Sequence, residues 1–299
     1  MKGAIGLALG TLAISFAAIF VRLSGVGPIS TGLWRLTLAF LFVFAWGILF
    51  DRKSLRNIFK KENQGWLKLT VLAGLAFGAD LVVWHLSIHK TTVAMATLLA
   101  NFAPFFMLFG AIIFLGEKLH PKSLSGILLC GLGILLLSLR FGNITTPAKI
   151  EGNLLALCAA FFYAIYLLIL RKAKAKGVSP FYALGVASFS GAALMLPLAL
   201  IFEPHILWPE TYKNWEILFL LGGVSQVLGQ GLITAFLPKV SGDLSSAILC
   251  LQSIFAAVSG YLILKERLSF TQIVGGAFVI AGIFLVRWAQ DQRLKSRPF

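Results

Sequence analysis

The chain has 299 residues, of which 59% are hydrophobic and 12% charged, with a mean hydropathy of +0.90. A soluble domain carries roughly 25% charge, so a water-soluble fold is excluded and the chain reads as an integral membrane protein. The net charge of +15 invites a nucleic-acid partner, but the basic residues cluster in short segments between apolar runs. There they set orientation in a bilayer and favour anionic lipid headgroups, and no nucleic acid is expected.

Stretches of at least about 17 mainly apolar residues define membrane-helix candidates. They occur near 3–21, 30–50, 66–86, 92–116, 123–140, 152–170, 180–202, 215–236, 244–264 and 271–289, which predicts an all-α membrane protein of ten transmembrane helices. The first run is too long for the core of a cleavable signal and no clear small-x-small site follows it, so it is read as helix 1. Helix 2 carries Arg35, some 9 Å along the axis at 1.5 Å per residue. Snorkelling from that depth is strained, and two readings stand: a structural pair with Asp80 or a carbonyl, and an anion-binding side chain for substrate.

Helix 3 ends in DLVVWHLSIHK, from Asp80 to Lys90. An ionisable residue at the centre of a membrane helix costs from about 3 to 10 kcal/mol or more, so Asp80 and His85 each require a reason. At about 100° per residue, Ala73, Ala76, Phe77, Trp84 and Ser87 share the face of Asp80, whereas His85 lies about 140° away, on the side of Gly74 and Gly78. The Asp80 face reads as a cavity wall, or as half of a structural pair with Arg35. The His85 face reads as a close helix contact, with His85 in an interhelical hydrogen bond or carrying a proton.

Further along, Thr97, Asn101, Pro104 and Phe105 share a face of helix 4, and Tyr163 and Tyr166 on helix 6 are either cavity rings or packing. Gln226 and Gln230 lie one turn apart on helix 8 beside Gly222, Gly223 and Gly229, and pair with each other, with a neighbouring helix or with a cavity. Helix 9 offers Ser246, Cys250, Ser253 and Ile254. The candidate substrate-binding set is therefore Arg35, Asp80, Trp84, Asn101, Tyr163, Gln226, Gln230 and Ser246. Cys130, Cys158 and Cys250 lie inside predicted helices at no metal-ligand spacing and are expected to be small core residues, not disulfides.

No HExxH, CxxC or Walker loop is present in the sequence, so no metal, cofactor or catalytic activity is expected. An intramembrane enzyme using Asp80 with His85 is the alternative from another class, and their separate azimuths weigh against it. A passive channel is a third reading, against which no helix shows a continuous polar stripe or a ring of charges.

The segment LGEKLHPKSLSGILLCGLGILLL from Leu115 aligns without gaps on LKERLSFTQIVGGAFVIAGIFLV from Leu264, a displacement of 149 residues. Glu117 falls on Glu266, Lys118 on Arg267, Gly126 on Gly275 and Gly133 on Gly282; extended backwards, Lys90 meets Lys239 and Thr97 meets Ser246. The chain is thus read as two copies of a five-helix unit, 1–145 and 146–299. Because five is odd, the second copy crosses the membrane in the opposite sense, an inverted repeat suited to alternating access. With both termini cytoplasmic, 18 of the 26 Lys and Arg residues fall on the inner side and 7 on the outer, with Arg35 within a span, as the positive-inside rule requires. Glu117 and Glu266 are expected to form interfacial charge pairs that orient each repeat.

At Asn101-Phe-Ala-Pro104, LGEKL, LKERL and the WRLTLAF around Arg35, the chain resembles the EamA branch of the drug/metabolite transporter superfamily. DLVVWHLSI, ATLLANFAP and SQVLGQGLITAFLP resemble one subgroup of it. The resemblance implies ten helices, inverted halves and secondary transport, commonly export, of a small organic metabolite across a bacterial plasma (inner) membrane. The partners implied are a small-molecule substrate and the lipid bilayer, and oligomeric state is not legible. Gln252-Ser253 stands where the family often has a proline matching Pro104, so helix 9 is expected to be straighter than helix 4. The charge inventory favours an amino acid, its carboxylate towards Arg35 and its ammonium towards Asp80; a sugar phosphate would require several cavity-facing Lys or Arg groups.

Overall fold

Backbone polar groups in a bilayer find no water, so a spanning segment has to satisfy them internally, and this chain does so with helices. The computed structural model describes residues 2–58, 60, 64–91, 96, 99–117, 121–138, 147–175, 179–264 and 269–295, and contains no strand among them. The first half comprises α1 (Lys2–Ser15), α2 (Ala17–Leu23), α3 (Pro28–Phe50), the short α4 (Arg52–Asn57), α5 (Gln64–Lys90), α6 (Ala103–Leu115) and α7 (Pro121–Ser138). The second comprises α8 (Pro147–Ala175), α9 (Pro180–Phe202), α10 (Tyr212–Leu220), a π-helical segment (Leu221–Gln230), α11 (Gly231–Phe236), α12 (Gly242–Leu249), α13 (Leu251–Leu264) and α14 (Phe270–Lys295).

Among the described residues, eight helical stretches are long and apolar enough to cross a membrane, and Ala103–Leu115 and Pro121–Leu137 are apolar but shorter. Large apolar side chains such as Leu49, Ile113, Phe114, Ile201, Leu262 and Phe284 stand exposed on the outside of the bundle. In water they would be a liability; against lipid they are the expected surface. The chain is a multi-pass membrane protein.

The predicted runs correspond closely to the observed helices, with differences of local winding. The run near 92–116 is broken by a turn at Asn101–Phe102, and the one near 244–264 by the single residue Cys250. Both breaks fall at positions 149 apart. Helix 9 is therefore interrupted even without a proline, its Cys250 Sγ donating to the Ser246 carbonyl at 3.3 Å. Thr97, Lys118, Glu266, Arg267 and the 145/146 repeat boundary lie outside the described residues.

Packing runs mostly between halves. α5 lies along α8 and α9, α3 against α9 and the π-helical segment, α1 against the π-helical segment, α11 and α13, α6 against α8 and α12, and α7 along α14. The α7–α14 seam is set by four glycines in reciprocal contact. A Cβ on Gly126 would meet the Gly282 carbonyl at 2.7 Å, and one on Gly133 the Gly275 carbonyl at 2.6 Å. Between them Cys130 Sγ donates to the carbonyl of Val279 at 3.6 Å, the residue 149 positions on.

Two polar knots secure opposite ends of α1. Near its start, the Glu117 carboxylate takes Arg171 Nη2 at 2.7 Å and the Gly242 N–H at 2.7 Å, while the same Nη2 donates to the Val240 carbonyl at 2.8 Å. Glu117 thus pairs with Arg171, and ties the ends of α6 and α8 to the start of α12. Beyond the end of α1, the buried Glu203 accepts from the Ile29 and Ser30 amides at 3.0 and 2.7 Å. It satisfies donors that a helix N-terminus leaves open, at α3. Trp34 packs there edge-on against Trp208 and Trp215. Cys130 and Cys250 are buried as expected, but Cys158 is exposed. It lies on the outward stripe of α8 with Leu154 and Phe161, four and three residues away, a helical spacing that turns it from the core.

Candidate functional site

Between the two halves lies a cavity of about 110 Å³, nearer the Glu203 end of the bundle. Ile14, Ser15, Ala17, Ala18 and Val21 of α1 and α2 form one side. α5 presents Phe77, Asp80, Leu81 and Trp84, residues spaced three and four apart, on the face that helical geometry assigns to Asp80. Ala100, Asn101, Ala103 and Pro104 come from the broken helix 4, and Leu249, Gln252 and Ala256 from the broken helix 9. Arg35 enters from α3 and Tyr163 from α8.

Arg35 and Asp80 are 6% and 8% exposed, so both charges are largely withdrawn from water. They influence each other electrostatically, yet among the described residues the ion pairs are Lys90–Glu151 and Arg171–Glu117. Arg35 instead donates from Nε to Gln226 Oε1 at 2.7 Å, with its Cζ 5.5 Å from the centre of the Phe77 ring. The Arg35–Asp80 reading of a closed structural pair is not what the structure shows. Two opposite charges face one cavity without closing on each other.

The sequence-predicted residues fall into three groups. Arg35, Asp80, Trp84, Asn101 and Tyr163 line the cavity. Gln226 and Gln230 are buried behind it, where Gln226 accepts from Arg35 and Gln230 Oε1 accepts from the Tyr163 hydroxyl at 3.0 Å. Their placement as wall residues is corrected to one of holding wall residues, because the π-helical winding tucks this stretch between α1 and α3. Ser225 Oγ reaches the Ala13 carbonyl, and a Cβ on Gly229 would lie 2.7 Å from the Ile14 nitrogen. Ser246 is buried off the wall, its hydroxyl without a partner among the described residues. The repeat does carry Ala100 onto Leu249 and Ala103 onto Gln252, which line the cavity on both sides, but the cavity leans towards helix 4, so Ser246, Cys250 and Ser253 stay behind it.

Sequence reasoning missed Gln252 and Ser15 as wall residues. Gln252 was visible only as a departure from a proline pattern, although it is the copy of Ala103, the residue beside Pro104. Tyr166 is fully buried, stacked on Phe77 at 4.6 Å between ring centroids, and does not reach the cavity. His85 points elsewhere: its Cε1 would stand 3.1 Å from a Cβ on Gly32 of α3, in the seam where Gly78 would meet the Gly191 carbonyl of α9 at 3.0 Å. That is the close helix contact expected of the His85 face, and it separates His85 from Asp80.

A helical bundle that crosses the bilayer repeatedly around a mainly apolar cavity carrying a few polar groups has the build of a membrane transporter. The sequence model of the EamA-like transporter family matches residues 1–139 and again 150–288, and the chain belongs to that family. An uncharacterized transporter of Archaeoglobus fulgidus is 26% identical over 294 residues, covering 96% of this chain and 97% of that one. The pseudopaline exporter CntI of Pseudomonas aeruginosa PAO1 is 26% identical over 223 residues, 73% of this chain and 74% of that protein. A solved crystal structure shares the fold with a TM-score of 0.83 at 18% identity, covering 100% of this chain and 99% of its own.

Proposed function

We propose that the protein is a secondary transporter that exports a small zwitterionic or neutral polar metabolite, an amino acid fitting best, across a bacterial plasma membrane. The observation that carries this reading is the cavity that Arg35 and Asp80 share without forming an ion pair. A zwitterion supplies the missing partners to both, its carboxylate to the guanidinium and its ammonium to Asp80, in a setting where leaving either unpaired is costly. The Trp84 indole N–H has no acceptor among the described residues, and a polar solute in the cavity would provide one.

Alternating access by two inverted five-helix repeats, 1–145 and 146–299 in ten membrane helices, is supported by three features. The family model matches two stretches displaced by 149 residues, the helix breaks at Asn101–Phe102 and Cys250 recur at that displacement, and Gly126–Gly282 and Gly133–Gly275 exchange roles across the α7–α14 seam. With both termini cytoplasmic, the cavity lies nearer the outer face and the Glu117–Arg171 knot closes the inner one. The relative CntI exports pseudopaline, which favours the outward direction here. An enzymatic reading loses its second group, since His85 packs towards α3 and α9 rather than beside Asp80.

Counterflow in proteoliposomes decides it. Labelled neutral L-amino acids are expected to exchange against an internal unlabelled pool and sugar phosphates are not. Exchange of a phosphorylated substrate with no response to any amino acid would end the zwitterion reading.

A further inference from the structure

We propose that Gln226 is the positioning residue that sets Arg35 as a receptor for a substrate carboxylate, an inference that rests on the zwitterion reading above. Gln226 is fully buried and presents Oε1 to Arg35 Nε at 2.7 Å. An amide oxygen in that position holds the guanidinium without cancelling its charge, as a carboxylate would. With Nε engaged, the planar fork offers its Nη edge to the cavity, and that edge matches the two oxygens of a carboxylate. Phe77 backs the guanidinium from the α5 side. The tether also keeps Arg35 from swinging onto Asp80, which shares the wall.

The winding of helix 8 makes this possible. π-helical segments are rare and occur often at functional sites. Here Leu221–Gln230 is wedged between α1 and α3, with a Cβ on Gly222 falling 2.8 Å from Leu38 Cβ and one on Gly229 reaching the backbone of Ala13 and Ile14. That leaves Gln226 little freedom to follow Arg35 elsewhere. Gln230, four residues on, repeats the arrangement for Tyr163. Both amides turn oxygen towards a wall residue.

The test compares wild type with Gln226→Glu and Gln226→Leu in proteoliposomes, using neutral L-amino acids as free zwitterions and as their methyl esters, which lack the carboxylate. Gln226→Glu preserves shape and adds an ion pair to Arg35. It is expected to raise KM for the zwitterions about tenfold or more with the maximal rate nearly unchanged, the signature of lost uniform binding. Inhibition by the esters and the melting temperature should stay at wild-type values. Gln226→Leu should raise KM likewise, by freeing the guanidinium. A Gln226→Glu protein with wild-type KM for the zwitterions, or one that loses zwitterions and esters alike, would overturn the positioning role. A wild type that responds to no amino acid would overturn the zwitterion reading first and this inference with it, and the two failures are told apart before any variant is compared.

Discussion

Asp80 lines the cavity beside Phe77, Leu81 and Trp84 from its own helix, with Arg35 lining the same cavity and no ion pair between them. Asp80→Asn removes the charge and almost no volume, so transport is expected to fall by about 100-fold, the loss of a charge-assisted contact worth roughly 2–3 kcal/mol, while the melting temperature holds. Ser246→Ala is the internal comparison. Its hydroxyl is buried off the wall without a partner among the described residues, and transport should be unchanged; wild-type transport by Asp80→Asn, or loss by Ser246→Ala, would reverse the assignment. Five of the eight residues chosen from sequence line the cavity because helical azimuth and the cost of a buried charge are both readable from residue order. Gln226 and Gln230 were found but misplaced, since a switch from α to π winding leaves no clear mark in composition. Ser246 was misplaced for a different reason: pseudo-symmetry was read as though the cavity sat on the axis, whereas it leans to one side.

The elements themselves were nearly all legible, since a membrane helix is announced by the length of its apolar run. The breaks were not, because Asn101–Phe102 and Cys250 interrupt helices whose hydrophobicity continues across the gap. What the glycine spacing did announce is the seam between α7 and α14. Without a hydrophobic driving force between helices in lipid, close backbone approach supplies the attraction. Gly133→Leu would force its side chain into the Gly275 carbonyl and Val279, and is expected to destabilise the protein by about 1–3 kcal/mol as overpacking does. Gly276, next to Gly275 in sequence, has nothing within 4 Å of where its Cβ would be, so Gly276→Leu should leave the melting temperature in detergent close to wild type. Equal effects of the two substitutions would mean that the seam is not what holds these helices.

At the scale of the whole molecule, charge predicts orientation. The basic segment 51–65 is expected on the inner side and the loop between Phe202 and Trp215, which carries Glu203 and Trp208, on the outer. Single cysteines at Asn57 and Thr211 on a cysteine-free background should react with an impermeant reagent from opposite sides, and modification of both from outside would refute the ten-helix topology. The interleaving of the halves has a consequence for biogenesis. α1, α3, α5, α6 and α7 find their main partners among helices made later, and the seam of α7 is covered mainly by α14, made after the other helices described here. Helices therefore enter the bilayer one at a time while tertiary structure waits, with lipid standing in for absent neighbours. On the ten-helix reading, a ribosome that stalls after residue 138 would have inserted five helices with few contacts among themselves, and Arg35 would lack Gln226. Such a nascent chain presents uncompensated charge to the membrane interior, the mark by which a quality-control protease can tell it from the finished protein.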